Sequence, residues 1–156
     1  MSSKAAGGRA RVRERETVGR TAAWMAKQVE LGLGSVDLSV SQYRVLGLLD
    51  ESSAFSSALA ERLAVRPPSI TAIIDGLVAR GLVERRPDES DRRRVDHALT
   101  ETGLTVLIAA DAAVTARLCD IAGCLDDPVD TERALDGLAT WRQAFIAYRA
   151  ARRSGP

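Results

Sequence analysis

The sequence predicts a mainly α-helical protein carrying one small β-hairpin. Three observations support this. Apolar residues recur at helical spacing through most of the 156 positions. Proline and glycine fall where helices would start and stop, as at Pro67 and Gly81. One charged stretch, RRPDESDRRRVDHALT over 85–100, has strand-like ends around a polar centre. With 46% hydrophobic but only 4% aromatic residues, the core must be Leu, Ala, Val and Ile, which also favours helices.

Residues 1–15 are small, polar and Arg-rich, and read as a flexible arm before a single domain over 16–156. From Thr17, Val18, Ala22, Met25 and Val29 repeat at helical spacing, and LGLGS at 31–35 closes that helix with two glycines. This Gly-x-Gly follows a helix, not a strand, so it reads as a helix end and not as a phosphate loop. Ser39 and Gln42 have the capping-box spacing and open a second helix with Val45, Leu46, Leu48 and Leu49 inward. Ser56 is expected to cap a short third helix with Leu59, Ala60 and Leu63 inward.

Pro67 can open a fourth helix because the first turn has no use for its missing N–H. That helix runs to about Arg80 and stops at Gly81. Its stripe, Ile70, Ile73, Ile74 and Leu77, leaves Pro68, Ser69, Thr71, Ala72, Asp75 and Gly76 outward. Ala64-Val65-Arg66 is then the tight connection of a helix-turn-helix. Leu82–Arg86 and Arg94–Leu99 read as strands joined by the loop PDESDRR, so residues of about 38–100 make a winged helix-turn-helix.

Beyond it, a long helix from Thr100 carries Leu104, Leu107, Ile108, Val114, Leu118 and Ile121, and breaks near Asp126-Asp127-Pro128. A last helix carries Leu135, Leu138, Trp141, Phe145 and Tyr148. The helices at about 16–34 and 101–151 extend past a winged core, and their apolar stripes need burial. A second copy of the chain is the simplest source, which makes them dimerisation helices of a homodimer.

The net charge of +1 conceals segregation. Residues 1–20 carry six basic and two acidic side chains, 56–94 eight and six, 101–140 two and eight, and 141–156 four and none. A basic patch can therefore sit on a nearly neutral protein, with the acidic band held away from a polyanion. No apolar stretch resembles a leader or a membrane span, so the expected location is cytoplasmic, with no membrane partner. Cys119 and Cys124, five apart, turn to different helix faces and read first as packing residues. One histidine, no metal-ligand cluster and no nucleophile beside a base leave no catalytic residues, no metal, no cofactor and no enzyme.

The order SQYRVLGLL, then SSALAERLAVRPPSITAIIDGLVARGLVERRPDESDRRRVDHALTETG, strongly resembles the MarR (multiple antibiotic resistance regulator) family of bacterial transcription factors over about 17–150. The resemblance implies a homodimer placing two winged helices on adjacent major grooves of near-palindromic double-stranded DNA, usually as a repressor released by a small ligand. Its recognition helix would present Arg66, Pro67, Pro68, Ser69, Thr71 and Ala72. On its wing, Asp91 would brace Arg93 in the minor groove, with Arg92 and Arg94 on phosphates and Arg86 also among the DNA-binding residues. Arg66 stands where the family often has a capping Ser, Gly76 lies inside the recognition helix, and Asp96-His97 replaces a commonly apolar pair.

In relatives an effector pocket lies between winged helix and dimer helices. Trp24, Gln28, Tyr43 and Arg44 are the candidates here for holding a small aromatic or anionic compound, against ordinary dimer packing. Two other classes compete: a winged helix whose basic wing binds an acidic protein, and a redox-sensing regulator using Cys119 and Cys124.

Overall fold

The computed structural model of the chain describes residues 3–87 and 95–153, and of 3–16 the backbone alone. Helix α1 (Ser3–Leu33) is followed by a 3-10 turn (Gly34–Val36), α2 (Val40–Glu51), β1 (Ala54–Phe55), α3 (Ser56–Leu63) and α4 (Pro67–Ala79). Strands β2 (Val83–Pro87) and β3 (Val95–Leu99), then α5 (Glu101–Ala122) and α6 (Pro128–Arg153), complete it. The chain divides into two compact units, residues 1–114 and 115–156. The first holds the winged helix-turn-helix. The backbone is helical from Ser3, over residues that composition assigned to an arm, consistent with the good helix propensity of Arg, Ala and Glu.

Local chemistry explains most element boundaries. Ser39 accepts from the Gln42 N–H, and the Gln42 side chain accepts from the Ser39 N–H, so the capping box opens α2 as its spacing predicts. Ser56, by contrast, is the first helical residue of α3 and not its cap; Phe55 occupies the cap position, where its side chain makes no capping hydrogen bond. The glycines of LGLGS also divide their work differently. Gly32 lies inside α1, where any Cβ would stand 3.2 Å from the Val114 Cα, so it permits close approach to α5. The turn after α1 is completed by Asp37, at φ 51.

The sheet is antiparallel in the order β1-β3-β2, with Ala54 opposite His97 and Arg85 opposite the same His97 across the other edge. The third strand, β1, was not expected: two residues are too few to show an alternating pattern. The core of the first unit is Leu33, Val45, Leu46, Leu59, Ile70, Ile74, Leu77 and Val83, all under 2% exposed. Ile70, Ile74 and Leu77 are the buried stripe of α4, while Ile73 is half-buried.

Thr100 joins α5 to the end of α4. Its hydroxyl accepts from the Gly103 N–H at 2.9 Å, capping α5, and donates to the Gly81 carbonyl at 2.8 Å. Its own N–H donates to the Leu82 carbonyl at 3.2 Å. A Cβ on Gly103 would collide with that same carbonyl and stand 2.8 Å from Leu99 Cδ1. Gly103→Ala is therefore expected to destabilise the fold by about 2–3 kcal/mol, the scale of overpacking against backbone. Gly47→Ala, where no atom lies within 4 Å of the added methyl, should instead gain up to about 1 kcal/mol of helix propensity. Thermal or urea unfolding of the two variants checks the opposite signs.

Candidate nucleic-acid interface

The corner between α3 and α4 is set by backbone geometry. Ala64 ends α3 in the left-handed region (φ 55, ψ 42), with its N–H shared between the Ala60 and Glu61 carbonyls. Arg66 is extended (φ -71, ψ 148), as a residue before proline prefers. Pro67 and Pro68 then fill the first helical positions without N–H groups. The next two N–H groups, of Ser69 and Ile70, are both taken by the Arg66 carbonyl at 3.0 and 3.2 Å. Phosphate contact at this helix start therefore falls to side chains, since its first backbone donors are missing or used.

Those side chains face solvent. Arg66, Pro67, Pro68, Ser69, Thr71 and Ala72 are all exposed, on the side opposite the buried stripe. The Thr71 hydroxyl donates to the Pro67 carbonyl at 3.1 Å. Arg66 and Ser69 have no side-chain partner among the described residues and stand ready for an external one. Gly76, on the same helix, has only Gln42 Nε2 at 3.8 Å from an added Cβ, so it is an ordinary contact and not a required gap.

Ion pairs hold the helix in place at both ends of its exit. Asp75 of α4 pairs with Arg85 of β2, and Arg80 donates to the Asp37 carbonyl at 2.7 Å with its carboxylate at 3.8 Å. Both pairs are largely solvated, worth at most about 1 kcal/mol each, so their contribution is orientation. Neither was foreseen, because pairing across ten or forty-three residues leaves no periodic trace. Of the wing candidates, Arg86 is exposed and its guanidinium is tied to Glu84 on its own strand. Asp91, Arg92, Arg93 and Arg94 lie outside the described residues.

His97, placed by the Asp96-His97 departure from the family pattern, is 4% exposed, with Nδ1 3.2 Å from the Ala54 carbonyl oxygen. Burial holds its pKa below the ordinary 6.5; Arg85 acts in the same direction, while the Ala54 carbonyl, Asp96 and Asp75 oppose it. Tyr43 is half-buried on α2 and donates to Asp111 on α5. Burial, that hydrogen bond and the Asp111 charge hold its phenol far above 10, so it stays neutral.

Of the other pocket candidates, Trp24 is 69% exposed, Arg44 is exposed and Gln28 is half-buried. A cleft of about 460 Å³ lies instead between the ends of α2 and β3 and the start of α5, lined by Leu49, Asp50, Arg86, Leu99, Glu101 and Leu104 among others. It is assembled from α2, β2 and the β3–α5 junction, stretches separated by some dozens of residues, which is why no motif marked it.

In the second unit, Leu135 and Leu138 are half-buried, while Trp141, Phe145 and Tyr148 are 54–60% exposed. The Trp141 and Phe145 rings stack at 5.7 Å, and Arg152 lies over the Tyr148 ring. Cys119 and Cys124 are both exposed, which corrects their reading as packing residues: one lies on the outer side of α5 and the other in the turn after it.

A family model described as the MarR family matches residues 36–94. An HTH-type transcriptional regulator of Mycobacterium bovis is 36% identical over 90 residues, spanning 57% of this chain and 63% of that protein. Among solved structures, CouR from Rhodococcus jostii bound to p-coumaroyl-CoA is 30% identical with a TM-score of 0.61, covering 78% of this chain and 85% of that one. The transcriptional repressor CouR bound to a 23-mer DNA duplex is 28% identical, with a TM-score of 0.65 over 81% and 89%. Escherichia coli MarR, at 23% identity and a TM-score of 0.67 over 79% and 93%, shares the fold.

The uncapped start of α4 can be tested directly. Arg66→Ser places an acceptor where the only nearby N–H, of Ser69, is already held by the residue-66 carbonyl, so it is expected to change stability by less than about 0.5 kcal/mol, seen as a thermal midpoint close to that of wild type. A lower midpoint would show that the Arg66 stem contributes more by packing than a cap returns.

Proposed function

The chain belongs to the MarR family, and from that premise we propose that it is a sequence-specific DNA-binding transcription regulator acting as a homodimer. The observation that carries this is the outward start of α4. Two side chains without a partner among the described residues, Arg66 and Ser69, sit on a helix whose opposite face is locked into the core. Entering a major groove, Arg66 would neutralise a phosphate and Ser69 donate to a phosphate or base edge. The Ala72 methyl would meet a thymine methyl, and Pro67 and Pro68 would let the backbone come close. Thr71 keeps its lone pairs for a base donor, its hydrogen being given to Pro67.

The wing adds Asp91, with Arg93 in the minor groove, and Arg92 and Arg94 on phosphates, a role in keeping with a loop of three consecutive arginines. Arg86, held by Glu84, would join them only by exchanging that partner for a phosphate. The exposed row Trp141, Phe145 and Tyr148 supports a second copy as partner, since a monomer would leave three aromatics in water. Repression relieved by a small ligand is supported by CouR, a similar protein named as a repressor and solved both with a DNA duplex and with p-coumaroyl-CoA. A cytoplasmic place of action follows from the DNA partner, and among the described residues no helix is long and apolar enough to cross a membrane.

Selection of duplex fragments from the source genome, followed by fluorescence anisotropy, tests the reading. Affinity is expected to fall steeply with salt, with two protected half-sites about 10 bp apart. Arg66→Ala should weaken binding uniformly across sequences and reduce the salt slope by about 1. Arg93→Ala should weaken it with the dimer intact by sedimentation. Absence of any preference among duplexes would sink the proposal.

Ending the chain after Leu125 should yield monomer or aggregate in sedimentation. A stable dimer would remove the role assigned to α6.

A further inference from the structure

His97 is the single histidine of the chain, and it sits where the elements that would grip DNA are joined. On the central strand β3 it faces Ala54 of β1 across one edge and Arg85 of β2 across the other. Directly opposed residues on antiparallel strands place their side chains on the same face, about 5 Å apart at Cβ. Its Nδ1 lies 3.2 Å from the Ala54 carbonyl oxygen, and Arg85 in turn pairs with Asp75 of α4. One line of contacts therefore runs from β1 through His97 and the base of the wing to the recognition helix.

We propose that His97 is a positioning residue for DNA binding: uncharged, it keeps Arg85 on Asp75 and the wing aligned with α4, and on protonation it releases that alignment. The proposal rests on the DNA-binding reading and goes beyond it. The contact to an acceptor-only carbonyl assigns the proton of neutral His97 to Nδ1, which donates to Ala54. A second proton then places a cation beside the Arg85 guanidinium, in a site 4% exposed. The imidazolium, drawn also by Asp96 on its own strand, then competes with Arg85 for the Asp75 carboxylate.

Among the described residues, the charges acting on His97 are Arg85 on β2, Asp96 on β3 itself and Asp75 on α4. From β1 it receives only the Ala54 carbonyl. Helices α2 and α3, which also pack on β3, carry Arg44, Asp50, Glu51, Glu61 and Arg62, of which Glu51 and Arg62 pair with each other.

Burial keeps the imidazole neutral to a lower pH than in the unfolded chain, where it titrates near the ordinary 6.5. Below that value the unfolded state binds more protons than the native one, so stability falls as pH drops through the window between the two pKa values. Carboxylates titrate near about 4, and thiols and the α-amino group near about 8, so His97 is the side chain whose ordinary pKa lies in that range.

The test uses the full chain and its selected operator at constant ionic strength, comparing wild type, His97→Asn and Asp75→Asn at about pH 7.5 and about pH 5.5. Asn keeps a donor for the Ala54 carbonyl and cannot be charged. Wild type is expected to lose about two- to fivefold in affinity in acid, what a one-unit pKa difference between free and bound protein gives at that pH when the free value lies below the ordinary 6.5. His97→Asn should change by less than about twofold over the same range. Asp75→Asn should bind less tightly at both values and show a smaller acid loss, because the contested carboxylate is gone.

The single imidazole resonance in NMR should titrate with the affinity. Melting curves report whether each variant is folded, and Asp75→Asn serves alone if His97→Asn does not fold. An equal acid loss in His97→Asn, an undiminished one in Asp75→Asn, or a flat wild-type profile overturns the proposal. Wild type that binds no duplex at either pH overturns the DNA-binding reading and this inference with it, whereas operator binding without the His97 effect overturns the inference alone.

Discussion

The burial of Ile70, Ile74 and Leu77 is the constraint on which the interface depends. A helix has only one orientation in which three such side chains leave water together, and each contributes about 1.5–3 kcal/mol by doing so. Against that stand small local penalties: up to about 1 kcal/mol for Gly76 inside the helix and about 1–2 for left-handed Ala64. The core term is larger than these together. It therefore decides which residues face outward, and the start of α4 can be chosen for recognition instead of for helix stability.

The same logic extends to the junction after the wing. Thr100 and Gly103 act as a pair: the hydroxyl caps α5 while the missing Cβ admits the Leu82 carbonyl. The stretch from Leu99 to Gly103 is thus a packing solution. It ties the first turn of α5 to the exit of α4, so a displacement of α5 at its start has a direct mechanical route to the recognition helix. The cleft of about 460 Å³ opens beside this junction, with Arg86 on its wall, which places a space able to admit a small molecule next to the base of the wing.

What the sequence made legible was local. The Ser39 capping box, Pro67 at the head of α4, the stop at Gly81 and the stripe of α4 are all written within one or two turns of chain, and each stands as its spacing implies. What it hid was set by partners far along the chain. The strand β1 exists only because β3 offers an edge at Asp96 and His97. Gly32 looked like a helix end until α5 was seen against it, and Arg85 looked like one more wing arginine although Asp75 occupies it. The thiols were misjudged for a related reason: spacing tells which helix face a residue takes, but not whether anything lies against that face.

A polyanion-binding surface on a protein of net charge +1 requires that arginine be rationed by pairing. Arg62, Arg80, Arg85 and Arg86 are each matched to a carboxylate or carbonyl within the fold, so they shape the winged helix without adding unscreened charge. Arg66 has no side-chain partner among the described residues, at a helix start whose first backbone donors are missing or used. Pairing thus separates arginines that hold the scaffold from those offered outward, a division that composition alone cannot reveal. It also explains why an uncharged histidine suits the centre of the sheet. A permanent cation there would compete with Arg85 for Asp75, whereas a permanently apolar side chain would leave the Ala54 carbonyl without the Nδ1–H donor.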